Sequence, residues 1–204
     1  MTMADALYIR SRNEDEPPAE AYRTAPLTLE IVHVRDLPDA PSPLRHRLII
    51  IPMQSDEIML SRKAAWLEDA WLKGTSILAN DIVARPYMSF LRPFEPIPQP
   101  GLGDYSVERH SSHPAFDRLP VDRFHLLEGM AGVYGVGHNP PPPGATVVNT
   151  IGRGAYAIDW YLGNDAGGIF FCHGGPDISA FHSGPEDTPN LTHELIDWLA
   201  EARS

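Results

Sequence analysis

The chain has little cysteine, few basic residues and no long apolar run, and each shortage excludes a class of protein. A single cysteine among 204 residues, Cys172, excludes a disulfide within the chain. Lysine and arginine together number 16 against 27 acidic residues, which gives a net charge of -11, and the basic residues are scattered singly. Nucleic acids and anionic membranes attract a basic face, so we expect neither as a partner. The longest apolar stretches are strand-sized, far below the roughly 20 residues of a membrane span.

The first residues also lack the basic stretch and apolar run of a signal peptide, so a cytoplasmic protein is expected. With 43% hydrophobic residues, the chain can bury a substantial core without a disulfide or a metal. We therefore expect one domain that spans residues 1–204.

Apolar runs alternate with helical patterns along the chain. The continuous apolar run at 47–52 is typical of a strand covered on both faces, and so of a central position in a parallel sheet. A helical stripe follows, with Ser61 as its predicted N-cap and Gly74 at its end, and residues 75–79 return as a parallel strand. Further strands are predicted at 6–9, 29–34, 132–136, 145–151 and 168–172, with a closing helix at 191–202. The predicted fold is α/β, an open, mostly parallel, flavodoxin-like sheet with helices on both faces.

Polar residues follow two of these strands at the carboxyl ends, where open α/β sheets bind ligands. Asp81 follows the strand at 75–79, and burial can tune such a carboxyl group to act as a base, a nucleophile or a metal ligand. Its alternative role is that of a helix cap or loop acceptor. His173 follows the strand at 168–172 and is a candidate proton shuttle, with Asp177 as the acid that orients it. The alternative for His173 is a hydrogen bond to the loop backbone.

Three further residues are candidates for contacting a substrate. His110 and His113 flank two serines, and a loop at this spacing can bring both rings together, whereas solvated loop histidines are the alternative. Trp160 is of the type that lines sugar or aromatic sites. Two histidines are a weak metal signal, and we predict no metal and no cofactor. Cys172 lies inside an apolar strand and is expected to be a small buried hydrophobe.

Two segments of the chain resemble the class I glutamine amidotransferase-like superfamily. Residues 73–81 (KGTSILAND) are similar to its helix, glycine, strand and elbow, with Asp81 where the amidotransferases carry their cysteine. Residues 169–177 (IFFCHGGPD) are similar to its late strand, which ends in a histidine and is followed by proline and an acid. The nearest resemblance is to the ThuA-like, trehalose-utilisation-type branch, which lacks the catalytic cysteine and often holds histidine at the elbow. The pair His113-Pro114, followed by Phe116 and Leu119, is similar to the middle region of that branch.

The resemblance implies a small-molecule enzyme that acts on a carbohydrate-derived or other polar metabolite, with Asp81 and His173 transferring protons in one cleft. A glutaminase reaction is not expected, because its acyl-enzyme forms on a thiolate that Asp81 cannot replace. The alternative is a non-catalytic amidotransferase-like domain that binds a ligand or a partner protein, in which Asp81 is capped or salt-bridged away from solvent. If the chain associates, a symmetric homodimer is the commonest assembly.

Overall fold

A computed structural model describes residues 5–11, 17–43, 45–127, 130–182 and 189–201. Its strands are β1 (Ala6–Arg10), β2 (Leu29–His33), β3 (Leu48–Ile51), β4 (Ser76–Asn80), β5 (Glu95–Pro96), β6 (Glu108–Arg109), β7 (Leu126–Leu127), β8 (Met130–Ala131), β9 (Gly137–His138), β10 (Thr146–Ile151), β11 (Tyr156–Gly163) and β12 (Ile169–His173). Its α-helices are α1 (Glu20–Arg23), α2 (Glu57–Arg62), α3 (Ala64–Leu72), α4 (Pro114–Asp117) and α5 (Leu191–Glu201). Short 3-10 helices lie at Val34–Asp36, Leu102–Tyr105, Val121–Phe124 and Ile178–His182.

Eight strands form one sheet in the order β2-β1-β3-β4-β12-β11-β10-β6. Neighbouring strands run parallel from β2 to β12 and antiparallel from β12 to β6. All four residues of β3 are buried between β1 and β4, which is the central position that its continuous apolar sequence predicts. The predicted α/β class with a large, mostly parallel sheet is therefore confirmed. Across the described ranges, no helix combines the length and hydropathy needed to cross a membrane.

The connection between β3 and β4 contains two helices where the sequence predicts one that begins at Ser61. Helix α2 begins after Asp56, whose carboxylate accepts a hydrogen bond from the Met59 N–H at 3.0 Å, and Ser61 lies inside this helix. The predicted cap is therefore wrong, because an acidic residue five positions earlier satisfies the first free N–H groups. The predicted end is confirmed, since Gly74 has a φ of +92° that a helix-terminating glycine adopts readily.

Two predictions about strands need correction. Residues 132–136, predicted as a strand, form turns and bends. The eight-residue strand β11 was not predicted, because its pattern is interrupted by the charged but completely buried Asp159. The other predicted strands are found within one residue at each end, as is the closing helix, for which Ala202 lies outside the described residues.

Apolar side chains of the central strand belong alternately to two core clusters. Leu48 and Ile50 pack with residues of α5, whereas Ile49 and Ile51 pack with residues of α3. Successive side chains of a strand point to opposite sides of the sheet, so both sides of β3 are filled with apolar groups. This packing holds the ends of β1, β3 and β4 at one rigid edge.

Candidate functional site

Two clefts open at the edge where the parallel strands end. In the order β2-β1-β3, strand β2 lies on one side of β1 and strand β3 lies on the other. The direction in which successive strands are added to the sheet therefore reverses between β1 and β3. Open α/β sheets bind ligands at such a reversal. A cleft of about 320 Å³, here called the β1–β3 cleft, lies at this point and is lined by residues that include Arg10, Ser11, Met53, Gln54, Ser55 and Asp177.

The second cleft, here called the Asp81 cleft, has a volume of about 700 Å³ and lies beyond the ends of β3 and β4. Residues 54–58 form one wall, and the segment that follows β4 forms the other. Glu57 connects the two walls, because its carboxylate accepts the backbone N–H groups of Ala84 at 2.8 Å and Arg85 at 2.7 Å. Gln54 and Ser55 line both clefts, so the clefts share a wall.

Asp81 lies in the wall of the Asp81 cleft with 8% of its surface exposed. Its Oδ2 accepts the Gln54 N–H at 3.0 Å, and its Oδ1 accepts the Ile82 N–H at 2.7 Å. Burial raises the pKa of Asp81 to about 7, with the charge of Glu57 acting in the same direction and the backbone hydrogen bonds opposing it. At neutral pH, such a carboxyl group is able either to donate or to accept a proton.

Gln54 has a left-handed backbone with a φ of 65°, which is uncommon for a residue other than glycine. Its N–H bond to Asp81 helps to hold this conformation. Backbone outliers of this kind concentrate at ligand sites. Gln54 is not among the predicted site residues, whose strand-end members follow only the strands at 75–79 and 168–172, but the same strand-end rule applied to β3 identifies it.

His173 is completely buried and has no surface in either cleft. Its Nδ1 lies 2.6 Å from Asp159 Oδ1, and its Nε2 lies 2.8 Å from the carbonyl oxygen of Pro176, to which it donates. The expectation that Asp81 and His173 share one cleft is therefore not met. The acid that orients His173 is Asp159, not Asp177, and it lies on β11, a strand that the sequence pattern does not predict.

Asp159 is the centre of a buried polar network. Its Oδ2 accepts hydrogen bonds from the Tyr134 hydroxyl at 2.5 Å and the Asn149 amide at 2.6 Å, and its Oδ1 pairs with His173. Asn149, Asp159 and His173 come from β10, β11 and β12, and all three are completely buried. The network fixes His173, which in turn holds the loop after β12 through the Pro176 carbonyl.

That loop brings Asp177 to the β1–β3 cleft. Asp177 Oδ1 accepts three hydrogen bonds of 2.8 Å, from the Tyr22 hydroxyl, the Asn80 amide and the Ser179 N–H. Tyr22 and Asn80 are completely buried. Burial and then the charge of Asp177 raise the pKa of Tyr22 well above its usual range, so its hydroxyl remains a donor. The carboxylate of Asp177 is thus held in one orientation.

None of the three residues predicted to contact a substrate lines either cleft. His110 is exposed. His113 is 1% exposed, its Nδ1 accepts the Ala115 N–H at 3.2 Å at the start of α4, and burial lowers its pKa to about 4. Trp160 is completely buried and donates to the Asn139 carbonyl at 2.8 Å. These positions favour structural roles for His113 and Trp160, because a ligand has no access to either ring.

Cys172 is completely buried, as its apolar strand predicts, and burial raises the pKa of its thiol. Among the residues that the structure describes, no group of three or more His, Cys, Asp or Glu side chains is placed to hold a metal ion. No protein-family model and no curated protein matches the sequence. The two clefts and their polar groups are therefore the basis for a functional assignment.

Proposed function

We propose that this chain is a small-molecule enzyme similar to the ThuA-like branch of the class I glutamine amidotransferase-like superfamily. In this proposal, Asp81 transfers a proton on a carbohydrate-derived or other polar metabolite. One observation carries it: a carboxyl group with a pKa of about 7 lies in the wall of a cleft at the carboxyl end of β4. Shifted pKa values of this kind concentrate at catalytic positions.

The strand order supports the proposed family. The sequence β2-β1-β3-β4-β12 is the order of flavodoxin-like sheets, and the alternate packing of β3 with α3 and α5 supports helices on both faces. Asp81 follows β4, where the proposed family places its elbow residue. The net charge of -11 supports a small-molecule partner rather than nucleic acid, and the single, buried cysteine supports a cytoplasmic setting.

In this proposal, the residues of the predicted catalytic group have different tasks. Among the described residues that line the two clefts, Asp81 is the one with a shifted pKa. His173 holds the loop after β12 through Pro176, so its contribution is to position that loop rather than to shuttle protons. Proton transfer by a side chain of this type contributes roughly 10²- to 10⁴-fold to a reaction rate.

Turnover by the Asp81→Asn variant tests this proposal. The purified chain is incubated with sugar acids, polyols and amino sugars, and conversion is followed by mass spectrometry. We expect Asp81→Asn to lower kcat at least about 100-fold, because asparagine cannot exchange the proton, and we expect the wild-type rate to change with pH near 7. Asp165→Asn, which alters an exposed carboxylate between β11 and β12, is the control and should keep the wild-type rate. Full activity in Asp81→Asn would exclude the proposed role.

A non-catalytic ligand-binding domain is the second candidate. It is favoured by the two backbone N–H groups that already occupy the Asp81 carboxylate, an arrangement also found in structural acceptors. On this alternative, a metabolite binds to the wild-type chain without conversion at any pH. The incubation above therefore distinguishes the two candidates, because only the enzyme yields a product.

A further inference from the structure

We propose that Arg85 binds the carboxylate of the substrate in the Asp81 cleft, so that the substrate is a hydroxylated monocarboxylic acid. The side-chain amide of Gln54 contacts the hydroxyl groups of this ligand. Because the inference names the substrate class of the proposed enzyme, it rests on the proposed function for its biological meaning. The binding itself depends only on groups that line this one cleft.

The guanidinium of Arg85 is available to a ligand. Arg85 is exposed, and it is the one basic residue among the described residues that line the Asp81 cleft. Its backbone N–H donates to Glu57, but no described residue accepts a hydrogen bond from its guanidinium or forms an ion pair with it. Another exposed arginine, Arg153, does have such a partner in Asp104 at 3.0 Å. The five N–H donors of a guanidinium form a planar fork that matches a carboxylate.

The segment that carries Arg85 is held in place by its backbone. The N–H groups of Ala84 and Arg85 donate to the two carboxylate oxygens of Glu57 at 2.8 and 2.7 Å. One position earlier, the Val83 N–H donates to Asn139 Oδ1 at 3.1 Å, and the Val83 carbonyl accepts the Asn139 amide at 2.7 Å. Val83 and Asn139 are completely buried. A segment fixed before the ligand arrives loses little conformational entropy on binding.

Gln54 lies on the other wall of the cleft and is exposed. Its φ of 65° is costly for a residue with a side chain, whereas glycine adopts it without strain. The amide group that glutamine adds at this position supplies two N–H donors and one carbonyl acceptor, which suit the hydroxyl groups of a ligand. Contact with a ligand therefore accounts for glutamine at a position that favours glycine.

Two further acids in the lining limit the charge of the ligand. Asp56 Oδ1 accepts the Met59 N–H at 3.0 Å, and the oxygens of Glu57 accept backbone N–H groups of the other wall. These hydrogen bonds are made within the chain, but both negative charges remain beside the cleft. They repel a phosphate dianion more strongly than a carboxylate, so an anionic group with a single charge fits better.

The same cleft contains the proposed catalytic residue. Asp81 and Arg85 are four positions apart on one wall, so their Cα atoms are separated by at most about 14 Å. The two walls meet where the Gln54 N–H donates to Asp81. The volume of about 700 Å³ lies within the range of small-molecule sites. A substrate held by its carboxylate at Arg85 thus extends its hydroxylated carbons toward Gln54 and Asp81.

Calorimetric titration of the full chain with three probes tests the inference. D-gluconate carries hydroxyl groups and a carboxylate, D-sorbitol carries hydroxyl groups only, and D-glucose 6-phosphate carries hydroxyl groups and a phosphate. We expect gluconate to bind at least about tenfold more tightly than either of the others. Arg85→Gln should weaken gluconate binding at least about tenfold and leave sorbitol binding unchanged, because it removes only the hydrogen bonds to the carboxylate.

Three further variants separate charge, geometry and the contact with the hydroxyl groups. Arg85→Lys keeps the charge without the planar fork, so its affinity for gluconate should lie between those of the wild type and Arg85→Gln. Gln54→Gly should weaken the binding of gluconate and sorbitol alike, by at least about threefold. Arg35→Gln is the matched control, since it removes an exposed arginine that lines neither cleft, and it should bind gluconate as the wild type does.

Gluconate that binds no more tightly than sorbitol, or that binds to Arg85→Gln as it does to the wild type, would overturn the role of Arg85. Glucose 6-phosphate that binds as tightly as gluconate would overturn the substrate class, and wild-type affinities in Gln54→Gly would overturn the contact with Gln54. These affinities report on the inference, whereas turnover by Asp81→Asn reports on the proposed function. Gluconate binding that depends on Arg85, together with full turnover by Asp81→Asn, would preserve the former and exclude the latter.

Discussion

Asp81 couples the stability of the protein to pH in an unusual direction for an acid. Its pKa is about 7 in the folded chain, against roughly 4 in an unfolded chain. Between these values the unfolded chain releases a proton that the folded chain retains. The free energy of unfolding therefore falls as pH rises from about 4 to about 7, and the loss is complete above that range. A shift of this size corresponds to at most about 4 kcal/mol.

Asp81→Asn removes this titration. Between pH 4 and pH 8, we expect the free energy of unfolding of the wild type to fall by up to about 4 kcal/mol more than that of the variant. Urea unfolding at pH 4, at pH 8 and at pH values between them measures this difference. His113, with its pKa lowered to about 4, destabilises both proteins as pH falls from about 6.5, so its contribution cancels in the difference. Asp165→Asn should follow the wild type. Parallel curves for the wild type and Asp81→Asn would show an ordinary Asp81 pKa and remove the basis of its proposed role.

At the scale of single elements, the start of α2 gives a direct test of the structure against the sequence pattern. Asp56 caps this helix, whereas Ser61, the residue that the pattern favours, lies within it. We expect Asp56→Ala to cost about 1 kcal/mol, because the Met59 N–H loses its acceptor. Ser61→Ala should change the free energy of unfolding by less than about 0.5 kcal/mol. Urea unfolding measures both, and a larger cost for Ser61→Ala would place the start of the helix there.

Strands that consist mainly of apolar residues were predictable, whereas β11, whose apolar pattern a buried charged residue interrupts, was not. β3 and β12 are continuous apolar runs, and both were predicted within one residue. β11 was not predicted because an aspartate within an apolar run usually indicates an exposed loop. Asp159 is instead completely buried, where it makes hydrogen bonds with His173, Tyr134 and Asn149. Asn149, His173 and Tyr134 lie 10, 14 and 25 positions from Asp159 in the sequence, beyond the range of a strand or helix pattern.

For the candidate site, the positions of residues at strand ends were predictable, but the directions of their side chains were not. Asp81 and Asp177 follow from the rule that ligands bind at the carboxyl ends of strands, and both line clefts there. The expected pairing of Asp81 with His173 failed because it depends on side-chain direction, which places His173 in the interior. The support of Asp177 by Tyr22 and Asn80 spans 155 and 97 positions of the sequence, so only the folded chain reveals it.

At the scale of the whole molecule, the Asp159 network connects the antiparallel strands to the parallel ones. β12 pairs with the parallel strand β4 on one side and with the antiparallel strand β11 on the other. His173 and Asp159 face each other across this junction at 2.6 Å. Removing one partner of a buried pair leaves a polar group without compensation, which is strongly destabilising.

We therefore expect His173→Ala to lower the free energy of unfolding by about 3–5 kcal/mol, with a large decrease in Tm. His110→Ala, which alters an exposed histidine, is the matched control and should stay within about 0.5 kcal/mol of the wild type. Thermal and urea unfolding measure both variants. A cost for His173→Ala near that of the control would mean that the two parts of the sheet are stabilised independently of this pair.

The end of β4 serves two clefts with two successive residues. Asn80 reaches Tyr22 and Asp177 on the side of the β1–β3 cleft, and Asp81 reaches Gln54 on the side of the Asp81 cleft. Side chains along a strand alternate in direction, so a single-residue insertion or deletion within β4 would exchange the two. The neutral amide would then replace the proton-carrying acid, and a second negative charge would face Asp177. The length of β4 thus determines the charge on the side of each cleft, even when no residue is substituted.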